Sequence, residues 1–374
     1  MQAVAGAQEA TSVGHLWLTD FRCFPHVDIE LTPGLTVLYG ANGQGKTSLL
    51  EAITWVARTK SFRGVSDALL VRANATEAVV RAEVVTGERR QLFEAEIRAA
   101  GRNRIMCNKQ PVSRVRDLHG LLRVTVFSPD DLALVKGGPA ERRDYLDELL
   151  TTLSPRYDAA RTDYERVLKQ RNALLRGGVR DEDARVTLDV FDDQLVTAAS
   201  ELVRGRLRLV DRLVPAVTRG YCALGGDESH IGAAYEAEWS DGGDIEPSLR
   251  AALETKRKAE LDRGLTLVGP HRDEWHLTIN ELDARHQASQ GEQRTLALAL
   301  RLAGHEVVAE LTGAVPVLLL DDVFSELDAD RAAALVRNLP AGQTLLTTAG
   351  AVPAAVEPER RLYIRAGAVG TREP

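Results

Sequence analysis

The spacing of apolar positions divides the chain into two β-rich ends and a helical middle. Leu16, Leu18, Phe21, Val27 and Ile29 alternate with polar residues, which predicts two short strands across 13–30, joined near Pro25 and closed by a Thr32-Pro33-Gly34 turn. Leu35, Val37 and Leu38 form another β-prone run. After it, Leu49, Leu50, Ala52, Ile53, Val56 and Ala57 recur at helical spacing to about Thr59. Residues 78–85, 91–97 and 102–108 alternate again and predict three antiparallel strands, turned at Thr86-Gly87-Glu88 and Ala100-Gly101-Arg102. They form a β-meander beside the main sheet, and a short run at 124–127 returns toward the core.

From there the period becomes helical. Pro139 follows Gly137-Gly138 as a helix start, and Ser154-Pro155 repeats the signal for a helix reaching about Arg176 and ended by Gly177-Gly178. Leu188, Leu195, Leu202 and Leu209 then recur every seven residues, with Phe191 and Ala198 between them. So short a stripe reads as an ordinary buried face, and the two long helices are expected to pack antiparallel. Arg204, Arg206, Arg208 and Arg212 are spread around the second, either as an interaction face or as a solvated surface. Loops at Gly225-Gly226-Asp227 and 240–244 precede a helix over 247–261. The segments LTLV and WHLTIN, from Leu265 on, restore strand character. The expected division is an α/β lobe from 13–127 and 263–374, with a helical lobe at 128–262 inserted between them.

With 374 residues, 44% of them hydrophobic, the chain can bury a core for two lobes. No apolar run approaches the ~18 residues of a membrane span, and residues 1–12 lack the basic and apolar regions of a signal peptide, so they read as a flexible extension. Cys23, Cys107 and Cys222 are too scattered for a disulfide framework or a Cys-x-x-Cys metal pair, which points to the cytoplasm. A net charge of −7 argues against blanket nucleic-acid affinity and leaves only local basic patches.

The chemistry concentrates where strand gives way to helix. Residues 40–47 read GANGQGKT, a full phosphate-loop motif in the required strand-loop-helix context. The backbone of Gly40, Ala41, Asn42, Gly43, Gln44 and Gly45 would wrap the phosphates of ATP. The positive end of the following helix adds to this attraction. Lys46 would reach the β and γ phosphates, Thr47 would ligate Mg2+, and Ser48 offers a second hydroxyl. Far along the chain, VLLLDD at 317–322 is an apolar strand ending in two carboxylates. Asp321 would hold Mg2+, directly or through water, and Asp322 would orient or deprotonate the attacking water.

Several cations are open to more than one reading. Arg22 is either a phosphate contact or a solvated loop arginine. Lys60 and Arg63, flanking Phe62, are either a DNA or nucleotide contact or a solvated helix end. Arg102, Arg104 and Lys109 gather at one end of the meander as a further DNA candidate. His271 and His276 lack a third ligand, so a metal site there is disfavoured and the GPHRD loop reads as structural or nucleotide-side. Ser289-Gln290-Gly291-Glu292 heads a strong helical run, TLALALRLAGHEVVAEL, and forms a capping box. Ser289, Gly291 and that helix start also make a second γ-phosphate receptor. Two receptors in one chain are explained if Ser289 and Gly291 meet ATP bound by a partner copy.

This order of motifs, continued by Ser325-Glu326-Leu327-Asp328, resembles ABC-type ATPase heads. Within them, LLLDDVFSELD, SQGEQRTLALALRLA, GPHRD, SPDDLALVKGGPAERR and FRCF resemble the RecF family of recombinational repair proteins. The fold implied is α/β: an ABC-type phosphate-loop ATPase head with an inserted helical lobe and an antiparallel β-meander. The activity implied is ATP-dependent DNA binding in gap repair, with a dimer closed around two ATP molecules, slow DNA-stimulated hydrolysis, and cooperation with RecR and RecO to load RecA where single strands meet duplex. By the same likeness Arg22 contacts phosphate, Ser289 and Gly291 cap the opposite protomer's ATP, and Asp328 lies in the loop coupling the two sites. Thr347 takes the switch position where a histidine is usual, which makes Asp322, Lys46 and Thr347 the candidates for catalysis. Glu292 stands where related signatures carry glutamine, and Asp322 where transporter ATPases carry glutamate. The competing readings are the ATPase subunit of a membrane transporter, opposed by the meander and the missing histidine, and an SMC-like DNA tether, opposed by the shortness of the helical insert.

Overall fold

The computed structural model describes residues 9–112, 118, 120–225, 229–240, 242–350 and 356–371, so the loop readings at Gly226, Asp227 and Asp241 and most of the N-terminal extension lie outside it. In chain order the elements are β1 (Glu9–Phe21), β2 (Phe24–Glu30), β3 (Leu35–Tyr39), α1 (Lys46–Arg58), β4 (Glu77–Thr86), β5 (Arg89–Arg98), β6 (Arg104–Cys107), β7 (Gln110–Pro111) and β8 (Val124–Phe127). The helical middle holds α2 (Ala133–Lys136), α3 (Pro139–Leu153), α4 (Pro155–Gly177), α5 (Glu182–Gly225), β9 (Ile231–Glu236), α6 (Ile245–Arg263), β10 (Glu274–Ile279) and β11 (Leu282–Asp283). The last part comprises α7 (Gln290–Thr312), β12 (Ala314–Val315), β13 (Val317–Leu320), α8 (Ala329–Arg337), β14 (Thr344–Thr348), β15 (Arg360–Arg365) and β16 (Ala368–Gly370).

Two compact units result, one from 1–131, 219–228 and 290–374 and the other from 132–218 and 229–289. The first unit is built on two sheets. One is ordered β16-β15-β3-β14-β13-β8, parallel throughout except for β16. Its central strands VLLL and TLLTT are buried on both faces, which is why VLLL reads as an unbroken apolar run and neither strand alternates. The other sheet, β12-β1-β4-β5-β6-β7 with β2 on β1, is antiparallel apart from the β1–β12 pair. It contains the expected meander. Between the sheets runs α1, whose Leu49, Leu50, Ala52, Ile53 and Trp55 are at most 1% exposed. Trp55 meets Phe93 of β5 edge-on at 6.3 Å, while the other side of the helix packs on β8 and β14. At ~25 cal/mol per Å2 of apolar surface removed from water, this helix is a major contributor to the stability of the unit.

The second unit pairs α4 with α5 in antiparallel fashion. Near one end Gly205 of α5 faces the Tyr157 ring of α4, and further on Arg171 of α4 binds Asp192 of α5 at 2.6 Å. Arg171 is fully buried and also donates to Glu260 and to the Thr266 hydroxyl. A three-stranded sheet, β11-β10-β9, completes the unit.

Several sequence expectations change here. The turn after β1 falls at Arg22 and Cys23, before Pro25, because Phe21 and Phe24 pair directly and leave Pro25 inside β2. Residues 9–12, taken as part of a flexible extension, open β1. The LTLV segment is not a strand: the Thr266 N–H is taken by Asn172 Oδ1 and the Leu267 N–H by Glu260 Oε1, which leaves neither for a ladder. The strand β9 was not expected, since IGAAYE carries little β-branched pattern and is defined by its pairing with β10. That pairing also assigns 263–289 to the second unit, whereas the sequence placed the end of the helical lobe near 262. Among the arginines of α5, Arg206 leaves the surface. Arg206 is buried against Asp147, Arg204 pairs with Glu246, and Arg208 donates to the Tyr157 hydroxyl.

Candidate nucleotide site

The phosphate loop links β3 to α1 through a backbone that side chains would obstruct. Gly40 has φ +150° and a Cβ there would lie 2.2 Å from the Ile364 carbonyl oxygen. Gly45 has φ +113°, and its Cβ would lie 2.5 Å from Cys23 Sγ and 2.7 Å from Phe24 Cζ. Only glycine tolerates both the torsion and the approach. The Gln44 side chain accepts the Ala366 N–H at 2.6 Å and so ties the loop to the β15–β16 turn. No acidic residue of α1 itself stands in its first turn, so any anion at its positive end comes from elsewhere. Lys46 Nζ donates to the carbonyls of Gly40 at 2.7 Å and Ala41 at 2.9 Å, and lies 3.5 Å from Asn42 Oδ1. Burial holds its amine below the ordinary lysine value, against the opposing pull of Asp322 and Asp321. An ammonium parked on carbonyls of the loop is poised to exchange them for phosphate oxygens.

The carboxylates arrive from β13. This strand is flanked in parallel by β8 and β14, and β14 in turn pairs in parallel with β3, so its C-terminal end opens on the same edge of the sheet as that of β3, where the loop begins. Thr47 donates to Asp321 Oδ1 at 2.9 Å, and Thr347, at the end of β14, donates to the same oxygen at 2.7 Å. The Thr347 oxygen in turn accepts the Asp322 N–H at 2.8 Å. Burial pushes the Asp321 carboxyl above the usual range; the two threonine hydroxyls and Arg63 pull it down, and Asp322 pushes it further up. Asp322 sits at φ +48°, a left-handed conformation uncommon for a residue other than glycine, and turns away from the strand. Together these residues line a cavity of about 560 Å3.

Asn42, Gly43, Gly45, Lys46, Thr47, Ser48, Asp321, Asp322 and Thr347 are all brought to this cavity. So are Arg22, from the β1–β2 turn, and Arg63, which the sequence had grouped with DNA candidates. Lys60 is exposed at the end of α1; Arg102, Arg104 and Lys109 are exposed on or beside the β6–β7 hairpin, with Arg104 3.5 Å from Glu96. None of these four lines the cavity. Gly291 and Asp328 meet elsewhere around a single side chain: Asp328 caps α8 by accepting the Arg331 N–H at 2.9 Å and its guanidinium at 2.7 Å, and a Cβ on Gly291 would lie 3.2 Å from that guanidinium. Ser289 is exposed immediately before α7. In the second unit His271 is held by the Tyr164 hydroxyl at 2.6 Å, and burial lowers its pKa to about 4. The sequence reading did not place Cys23, whose thiol burial pushes up, or Leu69, Val71 and Ala73 at the cavity, nor the buried pair Glu51 and Ser61 behind its cations. The Glu51 position is marked only by a charged residue interrupting the apolar face of α1.

A phosphate loop in front of a parallel sheet, with a second antiparallel sheet across its helix, defines an SMC-type ATPase head. The RecF/RecN/SMC N terminal domain family matches residues 12–348. The chain belongs to the RecF family: it is 47% identical over 350 residues to the DNA replication and repair protein RecF of Frankia alni, covering 90% of this chain and 92% of that protein. It is 45% identical to the RecF of Streptomyces avermitilis, over 90% and 93%. The solved structure of the recombination mediator protein RecF-ATP in the RecFOR pathway superposes with a TM-score of 0.87 at 28% identity, over 97% of this chain and 100% of that one. The Smc head domain of Pyrococcus furiosus shares the fold, with a TM-score of 0.58 at 15% identity over 96% and 95%. Membership favours a DNA replication and repair ATPase over a transporter subunit or a tether. Among the described residues no helix is long and apolar enough to cross a membrane.

Proposed function

We propose that this chain is a cytoplasmic, ATP-gated DNA clamp of recombinational gap repair. The observation that carries the reading is the hydroxyl pair on Asp321 Oδ1. Thr47 and Thr347 converge on one carboxylate oxygen beside Lys46, and hydroxyl plus carboxylate plus phosphate oxygens is the hard donor set that suits Mg2+. Thr47 and Asp321 would hold the ion, whose role is to neutralise charge on the β and γ phosphates. Lys46 would leave the Gly40 and Ala41 carbonyls for the same oxygens. Asp322, placed off the strand line by its left-handed backbone, would take up the attacking water, with Thr347 holding Asp321 and the Asp322 N–H in register.

Ser289 and Gly291 would complete the site from a second copy, with Asp328 beside them. The association of Gly291 and Asp328 around Arg331 supports treating them as one surface. ATP would then hold the dimer closed on DNA and slow, DNA-stimulated hydrolysis would release it, so that nucleotide sets residence time. RecR and RecO are the proposed partners and RecA the protein loaded, at junctions of single strand and duplex. Lys60, Arg102, Arg104 and Lys109 are the proposed DNA contacts. The test is binding to gapped and intact duplex with and without ATP, for wild type, Lys46→Met and Ser289→Arg. The clamp predicts ATP-dependent, salt-sensitive binding that both substitutions abolish, together with ATP-dependent dimerisation. Equal binding in every condition, or co-sedimentation with membranes in place of DNA binding, sinks the reading.

A further inference from the structure

Behind the cavity lies a buried carboxylate that the phosphate chemistry above does not use. Glu51 is one turn beyond Thr47 on α1 and has no solvent exposure. A buried carboxylate must be paired and hydrogen-bonded to persist. Arg22 Nε and Nη2 each donate to a different Glu51 oxygen at 2.7 Å, a two-pronged contact that fixes the guanidinium plane. The Ser61 hydroxyl donates to Glu51 Oε1, and the Ser61 oxygen accepts the Arg63 N–H at 3.1 Å. Arg22 and Arg63 both line the cavity, yet they come from different segments, the β1–β2 turn and the loop after α1.

We infer that Glu51 is a positioning residue for the nucleotide site, fixing the Arg22 guanidinium directly and the Arg63 loop through Ser61, both relative to the helix that carries Lys46 and Thr47. This rests on the nucleotide-site reading above. The backbone of Arg22 is committed to the same arrangement: its φ is +54°, its N–H donates to the Leu70 carbonyl at 2.7 Å, and Nη1 donates to the Leu69 carbonyl at 2.9 Å. Three of the five N–H groups of the guanidinium are thereby engaged, and two remain for an anionic ligand. A triphosphate entering the cavity meets a cation whose rotamer is already chosen, so binding does not have to order it. A plain structural ion pair would have no need to place its cation, and through Ser61 a second cation, on the wall of the cavity.

The test measures the Kd for a fluorescent ATP analogue and steady-state turnover on the full chain, with melting curves to establish folding. Glu51→Gln keeps volume and one acceptor oxygen. Arg22→Lys keeps the charge and loses the two-pronged contact. Each is expected to weaken nucleotide binding about tenfold or more, the scale on which supporting partners of a charged site act. The double variant Glu51→Gln/Arg22→Ala should bind at most about threefold more weakly than Arg22→Ala, the share carried by the Ser61 arm, since the rest of the Glu51 effect acts through Arg22. Ser61→Ala should cost about threefold, and substitution of Arg63 by alanine should remove its effect. Wild-type affinity in a folded Glu51→Gln or Arg22→Lys protein, or full additivity in the double variant, overturns the positioning role. Unchanged affinity in Ser61→Ala overturns the arm to Arg63. Lys46→Met serves as the reference: if it too binds the analogue as wild type does, the nucleotide-site reading falls and this inference with it.

Discussion

The Thr347 hydroxyl donates to Asp321 Oδ1 at 2.7 Å while accepting the backbone N–H of Asp322 at 2.8 Å, so one buried side chain on β14 holds both carboxylate residues at the end of β13. Thr347→Val removes both bonds at nearly constant volume. It leaves a buried N–H and part of a carboxylate unsatisfied, a loss of about 1–3 kcal/mol. The expected outcome is a lower denaturation midpoint together with at least about tenfold slower phosphate release. Thr347→Ser, which keeps the hydroxyl, should restore both. Turnover unaffected by Thr347→Val would separate this residue from the chemistry.

The phosphate loop makes a contrast between two of its glycines. A methyl at Gly43 meets nothing within 4 Å, so Gly43→Ala costs only its φ of +78°, about 1–2 kcal/mol. At Gly45 the same change adds contact with Cys23 and Phe24 to a φ of +113°. Overpacking there adds about 1–3 kcal/mol. Urea denaturation should rank Gly45→Ala well below Gly43→Ala, and Gly45→Ala should lose nucleotide binding, because the loop shifts to relieve the clash.

Lys46 makes nucleotide affinity pH-dependent on the alkaline side. Burial lowers its pKa, so the free protein gives up this proton at a lower pH than an ordinary lysine, while a bound triphosphate favours the ammonium. As pH rises through the lowered value, affinity should fall and binding should take up a proton. The same shift makes the group's contribution to the stability of the free protein largest above the ordinary lysine value, and that contribution is lost as pH falls through the lowered one. Calorimetry of ATP binding in two buffers of different ionisation enthalpy reads the uptake. Lys46→Met should show none from this group.

In the second unit, Arg206 is 3% exposed and grips Asp147 through two 2.8 Å contacts, with a further 2.8 Å bond to the Pro270 carbonyl. Removing one partner of such a pair strands the other charge, at about 3–5 kcal/mol. Arg206→Ala should therefore lower the denaturation midpoint sharply. Arg208→Ala, which loses one bond to Tyr157 from an exposed position, should cost no more than about 1 kcal/mol. DNA affinity measured where both are folded should be equal, since the proposed contacts are Lys60, Arg102, Arg104 and Lys109.

Local order was legible wherever one chemical constraint acts on neighbours in the chain. The phosphate loop announces itself because its glycines, lysine and threonine must follow one another at set spacing. The meander and the capped helices announce themselves through period and punctuation. By that route the sequence marked the phosphate loop and the strand that ends in Asp321 and Asp322, while the ATPase head and the switch position of Thr347 were read from the resemblance of the motif order to a known family. It misjudged what depends on pairing between distant segments: β9 has no pattern of its own and exists through β10, the LTLV run lost its ladder to Asn172 and Glu260, and Arg206 was drawn inward by Asp147. Tertiary structure decided the rest of the site for the same reason. Arg22, Glu51, Ser61 and Arg63 are joined by hydrogen bonds whose geometry no periodicity encodes, because a buried charge selects its partner by proximity in space and not by distance along the chain.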